Sequence, residues 1–376
     1  MKIGLVLDDT LDTPDGVQQY VLAIGTWLSS QGHDVHYLVG ATTRTDIGNV
    51  HSLSRNFKVR FNGNRLSIPL PTSKNKLKLF LDEQNFDVLH IQMPYSPMLA
   101  QRIIKQAPEH TAIVGTFHVL PYSKMVHAAN RALAVSLRPT LKMFDTIFTV
   151  SSAAQDFARK VYNIDSDVLP NVIDEARFRS AKPIEKFRDG NVTIVFLGRL
   201  VPRKGCLILL KAVNNIKKNY NLPEFKVNIG GKGPLMQKLK EFSAQHQLDD
   251  FVTFEGFISE DDKPNFLASA DIAVFPSSGG ESFGIVLLEA MAAGHAAVLA
   301  GDNPGYRSVM GAQPDLLFPA LNDEILAKKL ANFITDASTR KNIVNWQSDY
   351  VRQFDVNIVG IKLVNEYKAS CDKRNK

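Results

Sequence analysis

Cysteine is scarce in this chain, and long apolar runs are missing. Only Cys206 and Cys371 occur among 376 residues, and they lie far apart. A disulfide framework is therefore excluded, and we expect the chain to fold in the reducing cytoplasm. No segment approaches the ~20 apolar residues of a membrane span. The apolar run in the opening MKIGLVLDD is too short for a signal peptide, so we interpret it as a first buried strand.

Acidic residues are missing from two stretches of a chain whose formal net charge is +6. Residues 47–81 contain Arg55, Lys58, Arg60, Arg65, Lys74, Lys76 and Lys78, and residues 110–144 contain Lys124, Arg131, Arg138 and Lys142. These cations form either a solvated surface or a surface for anionic lipid or an anionic substrate. Nucleic acid is disfavoured as a partner, because the chain has no recognised nucleic-acid module and no alternation of basic and aromatic residues.

Short apolar runs alternate with helical patterns along the whole chain. Ile3–Leu7 precedes a helical pattern over Val17–Ser30, and the alternation restarts at Thr193–Leu197. The length favours two domains, and the alternation predicts parallel sheets with helices on both faces. The predicted fold class is α/β, with two Rossmann-like doubly wound domains facing a cleft.

The predicted domain boundary lies near Pro170–Asn171, where turn residues occur. We expect an N-terminal domain of residues 1–170 and a C-terminal domain of residues 171–355. The last helical pattern, Asn357–Ala369, can pack on either domain. Ligands of such sheets bind at the carboxyl ends of the strands, so function must be sought in the loops that follow them.

The loop after Thr193–Leu197 reads GRLVPRKG and contains three cations, Arg199, Arg203 and Lys204. Like charges on one short loop repel each other unless an anion lies among them. Arginine and lysine both bind phosphate oxygens, which indicates a phosphate site. The alternative is an exposed basic turn.

The segment GGESFGIVLLEAMAAG, residues 279–294, is the most informative. Gly279 and Gly280 give a flexible backbone that a ligand can approach closely. The pattern that follows predicts a helix that begins near Ser282–Gly284. The N–H groups of Phe283, Gly284 and Ile285 would then be free to bind phosphate. Glu281 and Glu289 lie ~12 Å apart along such a helix. One carboxylate can hold a sugar hydroxyl and the other the ribose, although Glu289 can also be a surface residue. Its neighbours are apolar, so it needs a partner.

Three weaker signals lie in other loops after strands. Gly16 lies where the first strand turns into a helix, and it either lets the backbone approach a phosphate or only forms a tight turn with no ligand. His118 directly follows the strand Ile113–Phe117 and is either structural or functional. Gly230 opens GGKGPL, which lacks the last glycine of a dinucleotide fingerprint because Met236 stands there, and which we place near a diphosphate or nucleoside.

Together these motifs resemble glycosyltransferase family 4, whose members are retaining enzymes of GT-B fold. The marks are DGVQ, TFH, GRLVPRKG, GKGP and the Glu281/Glu289 pair, and they span essentially the whole chain. MKIGLV, FDVLHIQMP and SLRP further resemble the bacterial phosphatidylinositol mannosyltransferases of that family. In such enzymes the C-terminal helix returns to the N-terminal domain, which implies that residues 356–376 belong there.

The resemblance implies a role for each motif. Gly16 would bind the donor diphosphate, Arg199 and Lys204 would neutralise it without a metal, and His118 would lie near the reacting carbon. Glu281 would hold the transferred sugar and Glu289 the ribose. The remaining donor-binding residues would be Gly230, Gly280, Ser282, Phe283, Gly284 and Ile285, and the acceptor would contact Gln18, Lys76, Lys124 and Arg203.

The expected activity is transfer of a hexose from a nucleotide sugar to a lipid-linked acceptor at the inner face of the plasma membrane. By resemblance, mannose from GDP-mannose is favoured, with no metal or other cofactor and with an anionic membrane surface as partner. Alternatives are a UDP-sugar donor with another lipid, polysaccharide or small-molecule acceptor, a two-lobed sugar-binding protein without catalysis, and a dehydrogenase. The oligomeric state is left open.

Three residues depart from the family pattern. Asp15 replaces a glycine and brings a carboxylate near the diphosphate site. Val172 replaces the flexible glycine of a PNGVD element, and Asp9 stands where the mannosyltransferases have a tyrosine that helps to bind the acceptor. Donor geometry and acceptor identity are therefore open.

Overall fold

The computed structural model describes residues 1–13, 15–61, 64–120, 124–187 and 189–376. The chain divides into two compact units. The N-terminal unit comprises Met1–Val172 and Val356–Lys376, and the C-terminal unit comprises Ile173–Asp355.

The N-terminal unit is built on a parallel sheet. Its strands are β1 (Lys2–Leu7), β2 (Asp34–Val39), β3 (Val50–Ser52), β4 (Asn56–Phe61), β5 (Asn64–Pro69), β6 (Val88–Ile91), β7 (Ala112–Phe117), β8 (Thr146–Thr149) and β9 (Asp167–Val168). Its first helices are α1 (Gly16–Ser30), α2 (Lys74–Gln84), α3 (Leu99–Gln106), α4 (Lys124–Leu141) and α5 (Ser152–Phe157), the last continued by a π-helical turn over Ala158–Tyr162. The sheet order is β3-β2-β1-β6-β7-β8-β9, and β4 and β5 form a separate antiparallel hairpin.

Strand β1 shows why this sheet is covered on both faces. Ile3, Leu5 and Leu7 belong to one core cluster, which includes side chains of α1. Val6 belongs to another, with side chains of α2 and α3. Successive side chains of a strand point to opposite faces, so a strand buried on both faces reads as a continuous apolar run.

The C-terminal unit repeats this architecture. Its strands are β10 (Val192–Leu197), β11 (Phe225–Gly230), β12 (Val252–Gly256), β13 (Ile272–Phe275), β14 (Ala297–Gly301) and β15 (Leu317–Phe318). Its helices are α6 (Glu175–Arg179), α7 (Cys206–Asn219), α8 (Met236–Gln245), α9 (Lys263–Ala268), α10 (Ile285–Ala293), α11 (Pro304–Met310), α12 (Asp323–Thr335) and α13 (Ala337–Tyr350). The parallel sheet has the order β12-β11-β10-β13-β14-β15. The predicted α/β class with two doubly wound sheets is therefore confirmed.

The C-terminal helix α14 (Val356–Arg374) packs on the N-terminal unit, as the resemblance implied. Trp27 Nε1 of α1 donates a hydrogen bond of 2.9 Å to Asn357 Oδ1. A Cβ atom at Gly360 would lie 2.5 Å from the Trp27 ring, so only glycine permits this close crossing of α1 and α14. At the other end of the helix, Arg374 Nε donates to both carboxylate oxygens of Asp145 at 2.8 and 2.9 Å.

Candidate active site

The order of strands in the C-terminal unit brings two predicted loops together. Strands β10 and β13 are neighbours at the point where the sheet order reverses, although β11 and β12 separate them in sequence. The GRLVPRKG loop follows β10, and the loop with Glu281 follows β13. In doubly wound sheets this switch point is the usual place for a ligand.

A carboxylate lies among the cations of these two loops. Glu281 Oε1 accepts from Arg203 Nη1 at 2.6 Å and from Lys204 Nζ at 2.8 Å. The Ser277 hydroxyl donates to the same oxygen at 2.8 Å. Burial alone would raise the pKa of the Glu281 carboxyl, but Lys204 and Arg203 outweigh it and hold the pKa below its usual value. Glu281 is therefore ionised at neutral pH.

This cluster refines the interpretation of the basic loop. The sequence required an anion to balance Arg203 and Lys204, and the structure supplies one from the chain itself. Arg199, half-buried on the same loop, makes contacts of its own. A phosphate that entered this loop would therefore share Lys204 with Glu281.

Glycines allow these loops to pack tightly. Gly205 has φ +73°, and a Cβ atom there would lie 2.0 Å from the carbonyl oxygen of Pro276. Gly231 has φ +141°, and its Cβ would lie 1.9 Å from the carbonyl oxygen of Gly198. Both glycines stand where no side chain fits, which explains why GRLVPRKG ends in glycine and why GGKGPL contains one directly after β11.

Helix α10 begins at Ile285, slightly later than the sequence predicted, after Gly284 with φ +133°. The side chain of Phe283 is buried against Phe354, with ring centroids 5.8 Å apart. Phe283 can therefore contact a ligand only through its backbone. The predicted roles of Gly280, Ser282, Gly284 and Ile285 as donor contacts remain predictions, as does that of Gly230 at the end of β11.

Glu289 has the partner that its apolar surroundings required. Its carboxylate, buried on α10, accepts from Lys263 Nζ of α9 at 2.8 Å. Lys263 also contacts Glu260 at 2.7 Å. Burial alone would lower the pKa of the Lys263 ammonium, but Glu289 and Glu260 together raise it, so the lysine stays charged. Glu289 is thus held in a fixed place rather than exposed on the helix surface.

In the N-terminal unit, His118 follows β7 and is buried. Its Nε2 lies 3.0 Å from Oε1 of Gln92, which follows the neighbouring strand β6. The Tyr20 ring of α1 packs edge-on against the imidazole, with centroids 5.0 Å apart. Burial lowers the pKa of His118 to about 3, so the ring is neutral at physiological pH.

Helix α1 begins at Gly16, and Asp15 is its N-cap residue. The Asp15 side chain makes no capping hydrogen bond and is exposed, as is Gly16. An exposed carboxylate at a helix N-terminus favours the folded helix but competes with a phosphate for the same positive end. The predicted contact of Gly16 with a diphosphate remains a prediction.

The four predicted acceptor residues differ in their surroundings. Gln18 is buried within α1, and Lys76 is exposed on α2. The side chain of Lys124 lies outside the described residues. Arg203 forms an ion pair with Glu281, so the structure places it in the carboxylate cluster. The acceptor assignment stays a prediction for all four.

Asp8 is a buried carboxylate at the end of β1. Its Oδ1 accepts from the backbone N–H of Ala100 at 2.6 Å, and its Oδ2 accepts from Ser96 Oγ at 2.5 Å. Burial outweighs these bonds and raises the pKa of Asp8 to about 6. Asp8 therefore ties the loop after β6 to the end of β1.

The raised pKa of Asp8 predicts a specific pH dependence. Between pH 4 and 6 the folded state binds more protons than the unfolded state, so the stability contributed by protonated Asp8 is lost as pH rises towards 6. Relative to Asp8→Asn, the wild-type free energy of unfolding should fall by about 2 kcal/mol between pH 4.5 and 7.5. Urea titrations at both pH values measure this difference. Asp165→Asn, at an exposed position of the same unit, is the control. If the difference in free energy of unfolding between wild type and variant changed with pH equally for Asp8→Asn and Asp165→Asn, the prediction would be contradicted.

Comparisons with known proteins agree with this geometry. Residues 14–177 match the family described as Glycosyltransferase Family 4, and residues 178–347 match Glycosyl transferases group 1. The phosphatidyl-myo-inositol mannosyltransferase of Mycolicibacterium smegmatis is 30% identical over 373 residues, which cover 98% of this chain and 94% of that protein. The chain belongs to glycosyltransferase family 4. It is therefore an enzyme, and neither the sugar-binding protein nor the dehydrogenase considered above.

Other relatives of this glycosyltransferase extend the match. The phosphatidyl-myo-inositol mannosyltransferase of Mycobacterium tuberculosis is 29% identical and covers 98% of the chain, with 97% of that protein covered in turn. Among solved structures, Anabaena HepE in complex with UDP and glucose superimposes with a TM-score of 0.77 at 17% identity, covering 98% of this chain and 99% of that one. A Rickettsia africae glycosyltransferase gives 0.75 at 18% identity, with 98% of each chain covered. These structures support the GT-B fold.

The described part of the glycosyltransferase lacks a metal cluster and a membrane-spanning helix. Within it, no group of three or more His, Cys, Asp or Glu side chains is placed to hold a metal ion. No helix there combines the length and apolar character needed to cross a membrane.

Sequence reasoning missed three residues of the candidate site. Ser277 and Gln92 each lie just beyond a strand, and the expectation that ligands bind at strand ends could have identified them. Lys263 had no such signal, because its partner Glu289 lies 26 residues away on another helix.

Proposed function

We propose that this glycosyltransferase transfers a hexose, with mannose from GDP-mannose favoured, to a lipid-linked acceptor and retains the configuration at the anomeric carbon. The relatives named as phosphatidyl-myo-inositol mannosyltransferases support this substrate class, because they match nearly the full length of the chain. The observation that carries the proposal is the cluster of Arg203, Lys204 and Glu281 at the switch point of the C-terminal sheet.

The cluster suits a departing nucleoside diphosphate. As the bond to the sugar breaks, negative charge develops on the leaving phosphate, and cations fixed nearby stabilise the transition state more than the ground state. Lys204 and Arg199 are the proposed cations, with the N-terminus of α10 as a third positive group. In this proposal Glu281 holds a hydroxyl of the sugar, and Glu289 holds the ribose.

Retention requires either a covalent intermediate or attack from the side of the leaving group. Glu281 is a poor nucleophile, because Arg203, Lys204 and Ser277 all donate to its Oε1 and hold the pKa of its carboxyl low. We therefore favour front-face attack, in which the leaving phosphate accepts the proton of the acceptor hydroxyl.

Release of free nucleoside diphosphate tests the proposed reaction. The enzyme is incubated with GDP-mannose or UDP-glucose, each with and without vesicles that contain phosphatidylinositol. Faster release of GDP with the lipid, together with a mannosylated lipid product, would support the proposal. Release of UDP instead would favour the UDP-sugar alternative. A thermal-shift screen with GDP, UDP and ADP adds a measurement of binding alone, since a ligand at one hundred times its Kd stabilises the protein by ~2.7 kcal/mol.

Activity should survive removal of divalent metal ions. Lys204 and Arg199 are the proposed source of positive charge where a metal would otherwise stabilise the leaving diphosphate. We expect turnover in excess EDTA to stay within about twofold of the untreated rate, a change of less than ~0.5 kcal/mol in the barrier. Loss of activity in EDTA, with recovery on addition of one divalent ion, would show that a metal is needed.

We also propose that the enzyme is peripheral at the inner face of the plasma membrane and binds it through basic side chains. On α4, Arg131, Val135 and Arg138 are exposed, whereas Leu137 is buried in the core and Leu133 packs against it. At Leu133 and Leu137, the apolar face of this segment is thus packed in the core. Attraction to anionic lipid through the outer face is the remaining mode, at about 1 kcal/mol per cation near the surface.

Vesicle sedimentation distinguishes this membrane surface from a solvated one. Wild-type enzyme should bind vesicles only when they contain anionic lipid, and salt should weaken the binding. Removal of charge at Lys124, Arg131 and Arg138 should release most of the bound enzyme. Removal of three exposed charges from the C-terminal unit, at Lys211, Lys238 and Lys240, is the matched control. Equal binding to neutral vesicles would contradict the proposal.

A further inference from the structure

Gln92 and His118 form a buried pair at the carboxyl ends of adjacent strands. Strands β6 and β7 are parallel neighbours, with Ile91 opposite Gly115. The residues that follow them therefore lie side by side, and Gln92 Oε1 approaches His118 Nε2 to 3.0 Å. Gln92 is fully buried, and His118 is 8% exposed. This contact is thus made inside the protein and does not depend on solvent.

The pair determines where the imidazole proton lies. An amide oxygen can only accept a hydrogen bond, so this contact is a hydrogen bond when His118 carries its proton on Nε2. Nδ1 is then left without a proton and can only accept. The NH2 group of Gln92 has no hydrogen-bond partner in the described part of the chain, although it is buried. The hydrogen bond through Oε1 to His118 is therefore the side-chain contact of Gln92 that the described residues show.

The surroundings of the pair keep the ring in place. Tyr20 packs on the imidazole, and Asn171 also contacts the ring through a side-chain hydrogen bond; this bond raises the pKa of His118, but burial outweighs it. Thr116, two residues before His118, accepts or donates a bond of 2.7 Å with His90 Nε2, and His90 Nδ1 bonds to the Tyr367 hydroxyl of α14 at 2.6 Å. Burial lowers the pKa of His90 to about 3 as well. Both imidazoles in this region are therefore neutral.

We infer that Gln92 is a positioning residue that holds the buried ring of His118 in the Nε2–H tautomer during glycosyl transfer, while burial keeps the ring neutral. The inference rests on the proposed placement of His118 near the reacting carbon. That carbon becomes positively charged in an oxocarbenium-like transition state. A protonated imidazole beside it would oppose this charge, whereas a neutral ring with an unprotonated Nδ1 does not.

The first test observes the tautomer of His118 directly and does not depend on enzyme turnover. Enzyme labelled with 15N-histidine is examined by NMR, and His118 is assigned by comparison with His118→Ala. In the wild type, His118 should show a protonated Nε2 and an unprotonated Nδ1, with no titration between pH 5 and 9. In Gln92→Leu the two tautomers should become mixed. A wild-type ring protonated on Nδ1 would overturn the inference.

The second test uses the pH dependence of turnover in Gln92→Glu. A carboxylate in place of the amide favours the charged imidazole, so the pKa of His118 should rise towards neutrality. Turnover should then fall as pH decreases through an inflection that the wild type lacks. Gln92→Leu should lower kcat by about tenfold, as expected for one lost hydrogen bond, with little change in the KM of the donor. Affinity for free nucleoside diphosphate should be unchanged in both variants.

Gln101 offers the matched control, because it is also a buried glutamine of the N-terminal unit and donates through Nε2 to the carbonyl oxygen of Pro94 at 3.0 Å. Gln101→Glu should lower thermal stability without adding the inflection. A profile of Gln92→Glu that parallels the wild type, or an inflection of equal size in Gln101→Glu, would overturn the inference. His118→Ala distinguishes the proposed role of His118 from that of Gln92. Full activity in that variant would refute the proposed role of His118 itself. Lost activity there, with Gln92 variants unchanged, would refute only the role of Gln92.

Discussion

Replacing Lys204 with methionine should lower kcat/KM for the nucleotide sugar by about 10- to 150-fold, because one charge-assisted hydrogen bond contributes roughly 1.5–3 kcal/mol. Methionine keeps most of the apolar stem, so the change removes chiefly the ammonium group. That ammonium lies 2.8 Å from the Glu281 carboxylate, at the switch point of the sheet. On the proposed placement of the diphosphate, loss of the ammonium removes positive charge beside the leaving group, and it also removes one of the ion pairs of Glu281.

Initial rates over a range of donor concentrations measure this effect. Arg199→Ala should show a loss of similar size, since both cations are proposed to contact the diphosphate. Lys211→Met, at an exposed position on α7, is the matched control and should be as active as the wild type. Full activity of Lys204→Met at donor concentrations well below KM would show that the diphosphate lies elsewhere.

Replacement of the two glutamates of the E-x7-E pair should impair different steps, turnover for Glu281 and nucleotide binding for Glu289. Glu281→Gln should lower kcat by about 10- to 150-fold, through loss of a charged hydrogen bond to the sugar, but should not weaken binding of free nucleoside diphosphate. Binding should even improve, because Arg203 and Lys204 lose the carboxylate that balances them. Glu289→Gln should instead weaken nucleoside diphosphate binding, because its proposed contact is with the ribose.

Calorimetry with GDP and UDP, combined with steady-state kinetics, separates these outcomes. Glu241→Gln, at an exposed position on α8, controls for loss of one negative charge from the same unit. Thermal unfolding of each variant shows whether the cluster still folds, which matters most for Glu289 because Lys263 depends on it. Equal loss of nucleoside diphosphate affinity in both glutamate variants would contradict the division between sugar and ribose.

Much of the fold was predictable because it depends on local patterns. The apolar run Ile3–Leu7 and the helical pattern after it correspond to β1 and α1, with ends that differ by a residue. The same holds for Thr193–Leu197 and β10. Apolar periodicity is a local pattern that spans a few consecutive residues of a strand or a few turns of a helix. It therefore predicts the helices and strands and their order along the chain well. The GT-B fold and the family then followed from motifs that lie in the loops after these strands.

The contacts of the site could not be read in this way. Arg203 and Glu281 are 78 residues apart, Gln92 and His118 are 26 apart, and His90 and Tyr367 are 277 apart. The sequence predicted an anion beside the basic loop and a partner for Glu289, but it did not identify either group.

By itself, the sequence determined two α/β units, the loops that follow their strands and the residue types within those loops, since these depend on neighbours along the chain. Only the tertiary structure decided that Glu281 balances Arg203 and Lys204, that Lys263 holds Glu289, and that Gln92 faces His118. The physical reason is the crossover topology of parallel sheets. It places strands such as β10 and β13 side by side while their sequences lie far apart, so side chains at their ends meet only when the sheet is complete.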